Sequence, residues 1–152
     1  MYLKEYLNKY MGEDIKLFVD MDGVIADYDI GNPGSYDKKR PLFTSINKLE
    51  EISKMENVEL YILSVSRMDI GVGEKNLWLD KYAPFFKEQN RIIMPRESNE
   101  YKKSDELKSE YLSSLERDGS KIIFIDDDVK VIDLVRMTNP DVILLKDTVL
   151  VD

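Results

Sequence analysis

Five short apolar runs alternate with helix-patterned segments along the chain, and this alternation predicts an α/β fold, a doubly wound parallel sheet with helices on both faces. The runs are apolar throughout instead of alternating with polar residues, as strands covered on both faces are. Two of them stop in clustered acid, at Asp20 and at Asp126, where an open parallel sheet keeps its ligand site beyond the carboxyl ends of its strands.

Taken in order, residues 2–11 place Leu3, Tyr6, Leu7, Tyr10 and Met11 at helical spacing, with Gly12 as a stop. Ile15 to Val19 reads as the first strand, running into Asp20-Met21-Asp22-Gly23. Between Tyr28 and Pro41, Gly31, Asn32, Pro33, Gly34 and Ser35 precede Lys38, Lys39 and Arg40 with no apolar period, which predicts a loop. Thr44 to Met55, capped by Thr44 or Ser45, carries Ile46, Leu49 and Ile52 on one helix face. Val58 to Leu63 is the second strand, closed by Ser64-Val65-Ser66-Arg67, and Gly71 and Gly73 bound a loop. A helix from Lys75 to Tyr82 follows, with Trp78 read as core, until Pro84 stops it.

Arg91 to Met94 is a third strand ended by Pro95. Residues 98–117 put Leu107, Tyr111, Leu112 and Leu115 on one face of a charged helix that Asp118-Gly119 ends. Ile122 to Ile125 then runs into Asp126-Asp127-Asp128, with Asp128 placed to cap a helix from Val129 to Met137. Asn139-Pro140 breaks that helix before a last strand, Val142 to Leu145.

At 152 residues the chain is expected to form one domain, 1–152, around one core. Its 43% hydrophobic and 34% charged residues match a soluble globular protein. No apolar run approaches the roughly 18 residues of a membrane span, and the start lacks a signal-peptide layout, so the cytoplasm is the expected location. The 22 basic residues against 30 acidic ones leave a net charge of −8, which argues against nonspecific binding to duplex nucleic acid.

There is no cysteine and no histidine. Disulfides, thiolate and imidazole catalysis and His- or Cys-ligated zinc are thereby excluded. Acid–base chemistry falls to carboxylates, lysines or tyrosines, and any metal is a hard, oxygen-ligated one such as Mg²⁺.

The proposed strands end at Asp20 and Asp22, at Ser64 and Ser66, at Pro95 and Arg96, at Asp126 to Asp128, and at Lys146 with Asp147. Carboxylates from two strand ends repel one another in a cleft unless a divalent cation joins them. Mg²⁺ shares its coordination with phosphate oxygens, so a phosphate ester is the expected substrate, with Asp20 placed to attack phosphorus and Asp22 to serve the leaving group. Gly23 lets the chain turn sharply there.

Phe18-Val19-Asp20-Met21-Asp22-Gly23-Val24-Ile25-Ala26-Asp27-Tyr28 resembles the first motif of the haloacid dehalogenase-like phosphohydrolase superfamily, most closely that of the 5'(3')-deoxyribonucleotidases. Ser64 at a strand end, a following lysine and Asp126-Asp127 resemble its later motifs, so the likeness spans residues 15–130. It implies a Rossmann-like core and an aspartyl-phosphate mechanism, with Asp20 as nucleophile and Asp22 as general acid, then base. Ser64 would bind phosphate, and Asp20, Asp22, Asp126 and Asp127 form the acidic set expected around Mg²⁺.

Two segments compete for the phosphate-binding lysine. Lys75-Asn76-Leu77-Trp78 resembles the nucleotidase context and favours Lys75, whereas Tyr101-Lys102-Lys103-Ser104-Asp105-Glu106-Leu107 resembles other members, including polynucleotide 3'-phosphatases, and offers Lys103. Arg67 and Arg96 are further candidates for phosphate or ribose, and Tyr28 for stacking on a base.

Residues 28–43 are too few for the helical cap of the nucleotidases, so at most a minimal cap loop covers the centre. An open centre suits a large substrate, such as a nucleic-acid 3' end or a phosphoprotein, or closure by a second copy in a homo-oligomer. The expected function is a Mg²⁺-dependent phosphomonoesterase with a nucleotide as substrate. The alternatives are a polynucleotide 3'-phosphatase, a phosphorylatable receiver module and a phosphate-binding module without turnover.

Overall fold

The computed structural model describes residues 3–28 and 36–151. Its five strands are β1 (Ile15–Val19), β2 (Val58–Ser66), β3 (Arg91–Pro95), β4 (Lys121–Asp126) and β5 (Ile143–Lys146). They pair in parallel in the order β3-β2-β1-β4-β5. The helices are α1 (Leu3–Asn8), α2 (Phe43–Ile52), α3 (Ile70–Tyr82), α4 (Ser104–Ser114) and α5 (Val129–Thr138).

Side-chain alternation along the central strands builds two cores, one on each face of the sheet. Leu17 and Val19 of β1, Leu60 and Ile62 of β2, and Ile123 and Ile125 of β4 pack with Leu3 and Leu7 of α1, Ile46 and Leu49 of α2 and Trp78 and Leu79 of α3. Phe18, Leu63, Ile122 and Phe124 point the other way, against Leu112 of α4 and Val131 and Val135 of α5. This is the doubly wound α/β arrangement that the uniformly apolar strands predict. No described helix is long and apolar enough to cross a membrane.

Several boundaries differ from those read in the sequence. The second strand does not close at Leu63: Ser64 pairs with Ile93 and Ser66 with Pro95, so β2 runs to Ser66 because β3 offers it a partner. Gly71 and Gly73 lie inside α3, not in a loop. A Cβ at Gly71 would sit 2.0 Å from Ser66 Oγ, so glycine there admits close packing of helix on strand.

Ser45 does not cap α2 and is buried within it; Leu42 stands at that N-cap without a side-chain hydrogen bond. The charged helix expected over 98–117 begins only at Ser104, because Glu100 and Tyr101 adopt left-handed φ of 58° and 54° that no helix can include. The Gly- and Pro-bearing stretch 31–35 lies outside the described residues. Asp128 caps α5 as expected, accepting from Lys130 N at 2.9 Å.

Candidate active site

The register of the central strands sets the site. Val19 of β1 lies beside Ile125 of β4, so the next residues, Asp20 and Asp126, leave the sheet as neighbours. Asp20 N donates to Ile125 O at 3.0 Å. Carboxylate oxygens of Asp20, Asp126 and Asp127 all lie within 4.8 Å of one another. Asp126 is fully buried, and its Oδ1 accepts from Asp128 N at 2.9 Å.

The amine that answers this charge is Lys108 of α4. Its Nζ lies 3.1 Å from Asp20 Oδ1 and 2.8 Å from Asp126 Oδ2, and the residue is 4% exposed. Burial alone would lower its pKa, but Asp20 and Asp126 outweigh that and hold the ammonium charged. Asp20 is pushed up to about 7 by burial, only partly offset by Lys108 and reinforced by Asp126 and Asp22. Burial likewise raises Asp126 and Asp127. Three clustered carboxylates, two of them buried and all held above their ordinary range, are a donor set suited to a hard divalent cation, which would favour their ionised forms.

Asp22 is treated differently. Its Oδ1 accepts from Tyr36 Oη at 2.8 Å and from Lys39 Nζ at 2.6 Å, and its Oδ2 from Lys75 Nζ at 3.1 Å. Burial would raise Asp22, yet Lys75, Lys39 and Tyr36 together hold it at about 2. Tyr36 opens the short 3₁₀ turn Tyr36–Lys38 and Lys39 follows it, and this segment is pinned to α3: Tyr36 N donates to Glu74 Oε2 at 2.9 Å, and Trp78 Nε1 donates to Lys39 O at 3.0 Å.

The turn after β1 is tight, with Met21 O accepting from the N–H groups of Val24, Ile25 and Ala26. Gly23 has φ of 80°, and a Cβ there would lie 2.0 Å from Asp127 Oδ2. Gly23→Ala is therefore expected to cost about 1–2 kcal/mol from left-handed strain, to displace Asp127 and to weaken binding of a divalent cation. Chemical denaturation read beside a Mg²⁺ titration checks both effects.

The remaining sequence candidates fall in different places. Lys75, 3% exposed, spends its three donors on Asp22, on Ser64 Oγ at 2.7 Å and on Val65 O at 2.8 Å, with Ser64 fully buried beneath it. Lys103 flanks the start of α4, where its carbonyl accepts from Leu107 N, and the segment's contact with the acidic cluster is made by Lys108. Arg96 turns away, donating to Lys102 O at 2.7 Å and Tyr101 O at 3.0 Å, which closes the loop before α4.

Tyr28 is exposed and lines the same cleft, of about 400 Å³, as Asp20, Asp22, Lys108, Asp126 and Asp127. Neither Lys108 nor Tyr36 was singled out from the sequence. Lys108 carried a signal, since it stands three and four residues before Tyr111 and Leu112 and so within the apolar stripe of its helix.

No protein-family model and no curated protein matches the sequence. Solved structures do. A structure of the Pnkp1/Rnl/Hen1 RNA repair complex matches with TM-score 0.64 and 17% identity over 89% of this chain and 43% of that one. A second structure of the Pnkp1/Rnl/Hen1 complex gives 0.66 and 17%, over 88% and 46%. The N-terminal part of the protein BF1531 from Bacteroides fragilis, containing a phosphatase domain complexed with Mg, gives 0.57 and 13%, over 93% and 39%. The chain thus spans less than half the length of each, and the likeness establishes a shared fold.

Proposed function

We propose that the chain is a Mg²⁺-dependent phosphomonoesterase of the haloacid dehalogenase-like type, acting through an aspartyl phosphate on Asp20, with nucleotides as its substrate class. The observation that carries this reading is the meeting of Asp20, Asp126 and Asp127 around one point, with Asp22 two residues beyond Asp20 on its own set of donors. The fold shared with a phosphatase domain complexed with Mg and with an RNA repair complex supports it.

Asp20, Asp126 and Asp127 would hold the metal. Bound there, Mg²⁺ would offset the charge of the carboxylates and of the phosphoryl oxygens. An Asp20 oxygen attacks phosphorus as the bond to the leaving oxygen breaks, and that oxygen takes a proton from Asp22. Water then attacks the phosphoryl group, Asp22 accepts its proton, and Asp20 and phosphate are released.

Asp22 stands ionised while Lys39, Lys75 and Tyr36 hold it. A phosphate dianion that draws the two amines to its own oxygens removes that hold, and burial, which favours the neutral acid, then prevails. Lys108 keeps a positive charge against Asp20 throughout, favouring its ionised, attacking form.

The test is hydrolysis of an aryl phosphate such as p-nitrophenyl phosphate. Phosphate release that needs Mg²⁺ and stops with EDTA is expected. Absence of turnover with every divalent cation tried overturns the reading and leaves a phosphate-binding module.

A further inference from the structure

Asp22 and Val65 line two clefts, not one. The first, described above, sets Asp20, Asp22, Asp126, Asp127 and Asp128 against Lys108 alone. The second, of about 420 Å³, reverses the balance, with Lys39, Arg67 and Lys75 against Asp22 and Glu74. A net positive hollow on a chain of net charge −8 is a local arrangement that the overall composition does not produce.

The charges of this second cleft are unequally committed. Lys39 and Lys75 are paired with Asp22, and Glu74 accepts from Tyr36 N. The Arg67 guanidinium has no hydrogen-bond or ion-pair partner among the described residues. Its backbone is nonetheless fixed, since Arg67 O accepts from Glu97 N at 3.1 Å while the neighbouring Ser66 lies in β2. Beside it, Met68 and Ile70 expose apolar surface at the same cleft, Ile70 being 74% exposed. A planar guanidinium carried on a fixed backbone just past a strand end, next to an apolar lip, suits an anionic oxygen group attached to an apolar or ring-bearing body.

We infer that this second cleft is the leaving-group subsite of the same reaction, and that it takes an alcohol carrying a second phosphate. The inference rests on the phosphomonoesterase reading. In an in-line displacement the leaving oxygen departs on the side opposite the attacking Asp20 oxygen, and it must pass within reach of the acid that protonates it. Asp22 is that acid and forms the shared wall, so the departing alcohol extends beyond it into the basic cleft. There the ring of a nucleoside lies against Met68 and Ile70, and its second phosphate meets Arg67.

The experiment compares esters that differ in the second phosphate: adenosine 3'-monophosphate, adenosine 5'-monophosphate, adenosine 3',5'-bisphosphate and a 3'-phosphorylated dinucleotide, with p-nitrophenyl phosphate as reference. A kcat/KM for the bisphosphate or the dinucleotide roughly tenfold or more above both monophosphates is expected, as for a charge-assisted hydrogen bond gained. Whichever of the two is faster identifies the source of the second phosphate, a free mononucleotide or a nucleic-acid end.

Arg67→Ala should collapse the ratio towards one and Arg67→Lys should restore part of it, while added salt should shrink the preference in the parent. Equal kcat/KM for mono- and bisphosphates, with the aryl phosphate still hydrolysed, overturns the subsite and leaves the phosphomonoesterase standing. No hydrolysis of any ester overturns both.

Discussion

Asp20→Asn is expected to abolish Mg²⁺-dependent phosphate release, by roughly a thousandfold or more, while leaving the chain folded. The amide keeps the size and much of the hydrogen bonding of the carboxylate but offers no anionic oxygen to attack phosphorus. The same substitution has a second expected signature, in stability. Asp20 in the fold titrates at about 7 against an ordinary 3.8, chiefly because it is buried.

A folded-state pKa above the unfolded one means that Asp20 supports the fold fully below about 3.8 and loses that contribution as pH rises through about 7. In EDTA, the melting temperature of the variant relative to the parent should therefore climb between pH 4 and 7 and then level off. Asp22, held at about 2, loses its contribution only as pH falls below 3.8, outside this window. A relative melting temperature that stays flat from pH 4 to 7 would show that Asp20 is not a desolvated carboxyl group. Retained phosphate release would remove it as nucleophile.

The parallel sheet and the convergence of two acidic strand ends were legible in the sequence because each rests on a local pattern. An apolar run that stops in acid marks a buried strand, and register alone then sets Asp20 beside Asp126. The readings that failed depended on partners remote in the chain. Ser64 and Ser66 look like loop residues until β3 lies alongside, and Gly71 looks like a helix breaker until Ser66 Oγ is found where its side chain would be.

Tyr36 adjoins a stretch without any period, so nothing local announces that α3 holds it, through Glu74, against Asp22. Lys108 was hidden for another reason. Leu107, Tyr111, Leu112 and Leu115 mark that helix face by their apolar character, and a lysine in the same stripe has to find a buried counter-charge when the helix packs.

That counter-charge makes Lys108→Met the substitution with the largest expected effect on stability. Methionine keeps an unbranched side chain of similar size, so the change removes mainly the ammonium, which also lies 5.8 Å from the centre of the Phe124 ring. Asp20 and Asp126 are then left as neighbouring buried carboxylates without their shared cation, and breaking a buried ion pair in this way costs about 3–5 kcal/mol. An exposed pair behaves otherwise, and Lys102→Met, which removes the contact with Glu110, should leave the melting temperature close to that of the parent.

The two carboxylates left bare by Lys108→Met are also candidate metal ligands, so Mg²⁺ supplies the charge that the lysine no longer does. Its addition should raise the melting temperature of the variant by more than that of the parent, since a ligand stabilises in proportion to its preference for the folded state. Phosphate release should still fall by roughly a hundredfold, because the ammonium beside Asp20 is absent when charge develops on the phosphoryl oxygens. Two results would contradict this account: a metal-free variant as stable as the parent, or one whose stability does not respond to Mg²⁺. The first would mean that Lys108 does not join Asp20 to Asp126, and the second that these carboxylates do not gather a cation.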